Sequence, residues 1–226
     1  MKIGILLSGC GVYDGSEIQE AVFSMLAVEE SGAEYQCISL NQNQHQVINH
    51  ITGEETKENR NMMVESARIA RGNVIDVSEV SPANIDGLII PGGFGAAKNF
   101  SKWAFLGANG GITPEIKLLI VNLVNAGKPI AALCVSPILI AKALEGSNIN
   151  TTLTLGNTID KSPYTIAEFN KGIKQTGALI KERALKEVLV DVENKIITAP
   201  CYMMNATISE IKTNIDMAVK ELIALV

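Results

Sequence analysis

Cys134 stands where an apolar run, Pro129–Leu133, meets a helix-forming one, VSPILIAKAL. A short buried strand that turns sharply into a helix makes an elbow. The side chain at the turn projects outward, and the free N–H groups of the helix aim at it. Those groups and the helix dipole favour negative charge, so a thiol there is expected to ionise more readily than a free cysteine. Such a sulfur attacks electrophilic carbon. The alternative is a buried core cysteine, since unpaired cysteine is among the most buried residue types. The segment by itself leaves both readings open.

A nucleophilic cysteine usually works beside a histidine. The two histidines, His45 and His50, both precede Cys134 in a polar stretch, and none follows it. The downstream His-x-Glu of a glutamine-hydrolysing cysteine enzyme is therefore missing. A solvated loop accounts for both histidines, and their spacing does not fit the HExxH metal pattern. Carboxylates are the remaining partners. Glu17 and Glu20 lie three apart, on one face at the start of the first helix, although the helix dipole alone favours acids there. Pro91–Gly95 (PGGFG) ends an apolar strand in a turn whose glycines permit positive φ and close backbone approach. Its N–H groups are candidates to hold an oxyanion, and a plain tight turn is the other reading. Gly9–Gly15 (GCGVYDG) looks like a dinucleotide loop. However, its third glycine comes one position late and Asp14 would face the pyrophosphate, so nicotinamide cofactors are disfavoured.

Positioning these groups requires strands and helices in alternation. KIGILLS and GLIIPGG read as buried strands, and Tyr35–Leu40 as another. Glu17–Ser31 reads as a helix opened by a Ser16–Gln19 capping box, and Arg60–Arg71 as a helix ended by Gly72. Thr113 and Pro114 open a helix closed by Gly127, and another follows Cys134 to about Leu144. LVDVENKIIT reads as a hairpin turning at Glu193–Asn194. Thr207-x-x-Glu210 caps a final helix that places Ile208, Ile211, Ile215, Val219 and Leu222 on one face. The segments Asn41–Asn59 and Lys98–Gly111 lack a period and read as insertions. Continuous apolar strands between amphipathic helices predict an α/β, doubly wound, mainly parallel sheet with helices on both faces. In such sheets ligands bind beyond the carboxyl ends of the strands. The turns Ser8–Gly15, Pro91–Ala96 and Cys134–Pro137 all fall there, so one pocket is expected to gather them.

Composition narrows the function further. The 226 residues carry a formal net charge of −5, which argues against nucleic acid or an anionic membrane as partner. No run approaches the ~20 apolar residues that span a bilayer, and the N-terminal MKIGILLSGCG reads as a strand rather than a signal peptide. Cys10, Cys37, Cys134 and Cys201 are scattered without a CxxC pair, so a zinc site and a disulfide framework are both disfavoured and a reducing cytoplasm fits.

LSGCGVYDGSEIQEA, IIPGGFGAAKN and AALCVSP together resemble the ThiJ/PfpI superfamily, and most closely its ElbB branch, the isoprenoid-biosynthesis-associated glyoxalases. The resemblance runs over essentially the whole chain. It implies a flavodoxin-like (class I glutamine amidotransferase-like) domain over residues 1–226, a homodimer, and a cysteine enzyme with neither cofactor nor metal. It makes Cys134 the elbow nucleophile and Glu20 its acidic partner, with Glu17 the alternative one turn earlier. It assigns the N–H groups of Gly93 and Val135 to the oxyanion. Gly9, Cys10, Gly11, Asp14, Gly92, Phe94 and Ser136 are the further pocket candidates. Cys10 is expected beneath the site, and Cys37 and Cys201 in structural places. The histidine that many members carry after the elbow has no counterpart, because the region reads TLTLGN (152–157). The implied activity is conversion of glyoxal or methylglyoxal to the 2-hydroxy acid through a cysteine hemithioacetal. A redox or carbonyl sensor that does not turn over, a protein deglycase, and a ligand-binding module with an inert cysteine are the alternatives.

Overall fold

The computed structural model describes residues 1–226. Its first unit is β1 (Lys2–Leu6), α1 (Ile18–Glu30), β2 (Glu34–Ser39), α2 (Met62–Ile69) and β3 (Val74–Asp76). Next come β4 (Gly87–Ile90), the short helices α3 (Phe94–Lys98) and α4 (Trp103–Leu106), then α5 (Pro114–Asn125), β5 (Ile130–Leu133) and α6 (Pro137–Leu144). The C-terminal part holds β6 (Thr152–Leu153), α7 (Ile166–Gln175), β7 (Leu179–Ile180), β8 (Leu189–Asp191), β9 (Ile196–Ala199) and α8 (Ile208–Ala224).

Seven strands form one sheet in the order β3-β2-β1-β4-β5-β9-β8, while β6 and β7 pair separately. Every neighbour in the large sheet is parallel except β8 against β9, the hairpin read from LVDVENKIIT. The strands β4, β5 and β9 are buried at every position, as continuous apolar runs require of a sheet covered on both faces. The step from β1 to β2 and the step from β4 to β5 run in opposite directions across the sheet. Right-handed crossovers therefore put α1 and α5 on opposite faces. One apolar cluster extends from Ile3 in β1 to Leu222 in α8, so the first and last elements share a core. No helix is long and apolar enough to cross a membrane.

The strand order reverses between β1 and β4, and the turns that follow these strands close over that switch point. Phe94 N–H donates to Val12 O at 2.7 Å, Gly95 N–H to Gly15 O at 2.9 Å, and Glu17 N–H to Gly92 O at 2.9 Å. The first two predicted turns are thus laced together by main chain alone.

Several elements differ from the sequence reading. Ser16 does not cap α1, because its hydroxyl accepts from Ser8 N–H at 2.8 Å inside the turn; Glu17 is the cap, accepting from Glu20 N–H at 2.7 Å. Helix α2 is capped by Asn61 and reaches only Ile69, shorter than Arg60–Arg71. The supposed insertion Lys98–Gly111 contains α4 and a 3₁₀ turn over Gly107–Asn109. A four-residue helix is too short to show a period, but Trp103 is buried, and buried Lys142 reaches Ala108 O at 2.8 Å to hold the segment. The Thr207–Glu210 box is formed as read.

Candidate active site

Cys134 sits in a left-handed conformation, φ 57°, between β5 and α6. For a non-glycine residue that costs on the order of 1–3 kcal/mol and persists only where the surroundings impose it. Here they do. Its N–H donates to Ala199 O on β9 at 2.9 Å, Ser136 N–H closes back on Leu133 O at 2.9 Å, and the Ser136 hydroxyl ties the elbow to Pro91 O at 2.7 Å. The side chain is turned out of the strand, and the N–H groups of Val135 and Gly93 lie near enough to its sulfur to favour the thiolate.

The PGG turn is shaped to this sulfur. A β-carbon on Gly92 would lie 2.6 Å from Glu20 Oε2 and 2.9 Å from Cys134 Sγ, so only glycine lets the acid and the thiol meet across it. Gly93 has φ 97°, and a β-carbon there would run into Gly15 O and Glu17 N.

Glu20 is 0% exposed, in the first turn of α1. Its Oε2 accepts from Gly92 N–H at 2.7 Å, its Oε1 accepts from Tyr202 N–H at 3.3 Å, and the carboxyl faces the Cys134 thiol across Gly92. Burial first, and then Glu17, push this carboxyl up to about 8 from its ordinary 4.5; the two N–H donors and the thiol pull the other way without prevailing. Glu17 reaches the same chamber, and burial raises it too, but its Oε2 is committed to the Glu20 N–H as the helix cap. The closer acid is Glu20.

The expectation of an easily ionised thiol is overturned. Cys134 is only 5% exposed, and burial, followed by the charge of Glu20, pushes the thiol well above its ordinary value; the Val135 and Gly93 N–H groups offset this only in part. Acid and thiol therefore titrate as a pair, and the first proton to leave does so near the carboxyl's raised value.

The sulfur opens into a chamber of about 20 Å³ lined by Val12, Glu17, Gly93, Phe94, Val135, Tyr164, Phe169, Tyr202 and Met203. That volume admits about one water. A larger open cleft of about 820 Å³ lies on the far side of Phe94 and Phe169, whose rings border both.

Of the predicted pocket residues, Gly92 backs the sulfur and Phe94 lines the chamber, while the others face elsewhere. Gly9 N–H donates to Ser66 Oγ at 3.0 Å, and Gly11 backs onto His50. Asp14 is buried, accepting from Ile48 N–H at 2.7 Å to fasten the 41–60 stretch. Ser136 is spent on the elbow. Cys10 lies not beneath the site but among Glu65, Arg68, Asp14 and Arg60. Cys37 and Cys201 are buried and unpaired. Neither histidine lines the chamber. His50 packs on Tyr13 and takes its N–H at 3.2 Å, and His45 meets Lys102 Nζ at 3.0 Å. No group of three or more His, Cys, Asp and Glu side chains is placed to hold a metal ion. The sequence reading missed Val12, Tyr164, Phe169, Tyr202 and Met203. Only the YMM run after Cys201, just past a strand end, carried any signal.

No family model matches the chain. It is 38% identical over 228 aligned residues to the human glutamine amidotransferase-like class 1 domain-containing protein 3, mitochondrial, spanning 99% of this chain and 83% of that protein. It is 37% identical to the rat ES1 protein homolog, mitochondrial, over 99% of this chain and 84% of the relative. Among solved structures, the isoprenoid biosynthesis protein with amidotransferase-like domain from Ehrlichia chaffeensis superposes with a TM-score of 0.90 at 33% identity, covering 100% of this chain and 99% of that one. DJ-1beta of Drosophila melanogaster, at 12% identity and a TM-score of 0.56 over 99% and 94% of the two chains, shares the fold alone. With identity this high over nearly the full length, the chain belongs to the family of the ES1 and glutamine amidotransferase-like class 1 domain proteins, whose fold it shares with the Ehrlichia isoprenoid biosynthesis protein.

Proposed function

We propose that this chain is a glyoxalase-like enzyme that converts glyoxal or methylglyoxal to glycolate or lactate without a cofactor. The observation that carries the reading is one buried acid, Glu20, facing an elbow thiol across Gly92, with the Val135 and Gly93 N–H groups beside the sulfur and favouring its charged form. The superfamily contains glyoxalases and deglycases. The chamber beside the sulfur holds about one water as it stands, so a substrate enters only as the aromatic wall shifts, and a small free carbonyl asks for a smaller shift than a glycated side chain.

The competent form is the pair holding a single proton. As Cys134 sulfur adds to the aldehyde carbon, the thiol's proton passes through the Glu20 carboxylate to the aldehyde oxygen, leaving a hemithioacetal and a Glu20 carboxylate. The carboxylate takes the hydrogen from the former aldehyde carbon and returns it to the neighbouring carbon through an enediol. The product is a thioester, and water releases the 2-hydroxy acid and the thiol. The Gly93 and Val135 N–H groups steady the oxygen that gains charge, a donor of this kind being worth about 3–4 kcal/mol of barrier. We place the reaction in a reducing compartment such as the cytoplasm, in a homodimer acting on small carbonyls. "Mitochondrial" belongs to the names of the human and rat relatives.

Turnover of methylglyoxal by the parent and by Cys134→Ala tests the reading. Lactate from the parent alone supports it. A modified Cys134 without lactate returns the chain to the sensor reading, and a thiol that iodoacetamide never reaches returns it to an inert core cysteine.

A further inference from the structure

We propose that Tyr164 is a catalytic residue whose hydroxyl holds and protonates the second carbonyl oxygen of the substrate. The proposal rests on the glyoxalase reading and supplies an acid that it lacks. In the mechanism above Glu20 serves the aldehyde oxygen and the migrating hydrogen, and the Gly93 and Val135 N–H groups serve the oxygen next to sulfur. Nothing yet meets the ketone oxygen of methylglyoxal, where charge develops as the enediol forms. No histidine follows Cys134 in the chain, and neither His45 nor His50 lines the chamber.

Two phenols stand in the chamber wall. The Tyr202 hydroxyl is taken, donating to Gln19 Oε1. The Tyr164 hydroxyl has no hydrogen-bond partner in the protein, although its ring is half-buried and set edge-on to Phe94 at 5.8 Å and 76°. A partly buried phenol without a partner is an unspent donor. Its place is also fixed. Tyr164 N–H donates to Ser162 Oγ at 2.9 Å, and the same Ser162 hydroxyl donates to Met203 O at 2.6 Å, so Tyr164 is anchored to another wall residue. Burial, and then the Cys134 charge, push the phenol up to about 12, which keeps its proton on at every physiological pH. It is a donor and not a resting base.

The protons balance. As Glu20 takes the hydrogen from the first carbon, Tyr164 Oη gives its proton to the second oxygen. As the thioester carbonyl forms, the first oxygen returns its proton to Oη while Glu20 delivers hydrogen to the second carbon. The phenol and the carboxylate end as they began.

Tyr164→Phe keeps the ring and removes the donor. With methylglyoxal, kcat should fall on the order of 100-fold, as loss of one acid–base group does, while KM rises by no more than about tenfold, the cost of one hydrogen bond. Alkylation of Cys134 by iodoacetamide without substrate, located by peptide mapping, should stay within about twofold because the thiol and its N–H donors are untouched. Methylglyoxal should protect Cys134 from that alkylation in both chains, with the half-protecting concentration about tenfold higher in Tyr164→Phe, one hydrogen bond's worth. Parent-like turnover and parent-like protection in Tyr164→Phe would overturn the proposal. If the parent itself makes no lactate, the glyoxalase reading falls and protection alone decides. A tenfold loss keeps Tyr164 as the carbonyl-oxygen donor, and equal protection removes it.

Discussion

Glu20→Gln should change how stability depends on pH, and by an amount that follows from the burial of the carboxyl. In the folded chain this group is pushed up to about 8 from 4.5, first by burial and then by Glu17. The folded chain therefore keeps a proton that the unfolded chain has already released. The associated stability is complete below the unfolded value and is lost steadily as pH rises through the folded one. A rise from 4.5 to about 8 corresponds to roughly 5 kcal/mol at about 1.4 kcal/mol per pH unit. Glutamine fills the same volume and its amide oxygen can still accept from Gly92 N–H, but it has no proton to lose. Its NH₂ meeting Tyr202 N–H adds a constant cost that does not vary with pH. The stability of Glu20→Gln relative to the parent should thus grow by about 3 kcal/mol between about pH 5 and about pH 7. Urea unfolding of both chains at the two pH values, with matching slopes, measures this directly. A difference that stays within about 0.5 kcal/mol over that range would show that Glu20 titrates as an ordinary surface acid, and the paired-proton argument would fail with it.

Three further outcomes are expected. The kcat/KM for methylglyoxal should rise with pH and level off above about 8, because the Glu20–Cys134 pair must release its first proton before it can react; a profile flat through that region would contradict the pairing. Gly93→Ala, at φ 97° with Gly15 O and Glu17 N in the way, should lose about 1–3 kcal/mol from backbone strain alone, read as a lowered Tm, and an unchanged Tm would refute the assigned conformation. Thr207→Ala should lower unfolding free energy by about 1 kcal/mol through loss of the α8 cap while leaving turnover unchanged.

The parts of this structure that could be read from the sequence are those whose signals are local. Continuous apolar runs marked β1, β4 and β5, because a strand buried on both faces has no polar positions to spare. The elbow at Cys134 was visible because strand, turn and helix are contiguous there. What favours Glu20 over Glu17 is geometry that no sequence pattern carries. The two lie three apart on one helix face, and what separates them is that Glu17 is spent on the helix cap while Glu20 points through the gap left by Gly92. The same competition defeated the Ser16 cap, whose hydroxyl was claimed by Ser8 N–H. The aromatic wall was hidden for another reason. Tyr164 and Phe169 flank the start of α7 and Tyr202 comes from beyond β9, all far along the chain from Val12 and Glu17, and nothing near them announces a pocket. The raised thiol was misjudged because elbow and dipole arguments weigh the N–H donors but cannot see how completely the aromatic wall excludes water.

The central claim, that Cys134 carries the substrate covalently on the way to a 2-hydroxy acid, is tested most directly by intact-mass and peptide analysis of protein quenched during turnover of methylglyoxal. An adduct of one substrate mass on Cys134 that appears before lactate, decays as lactate accumulates and is absent from Cys134→Ala is the result this account predicts. Lactate formed without any adduct on Cys134, or formed equally by Cys134→Ala, would contradict it.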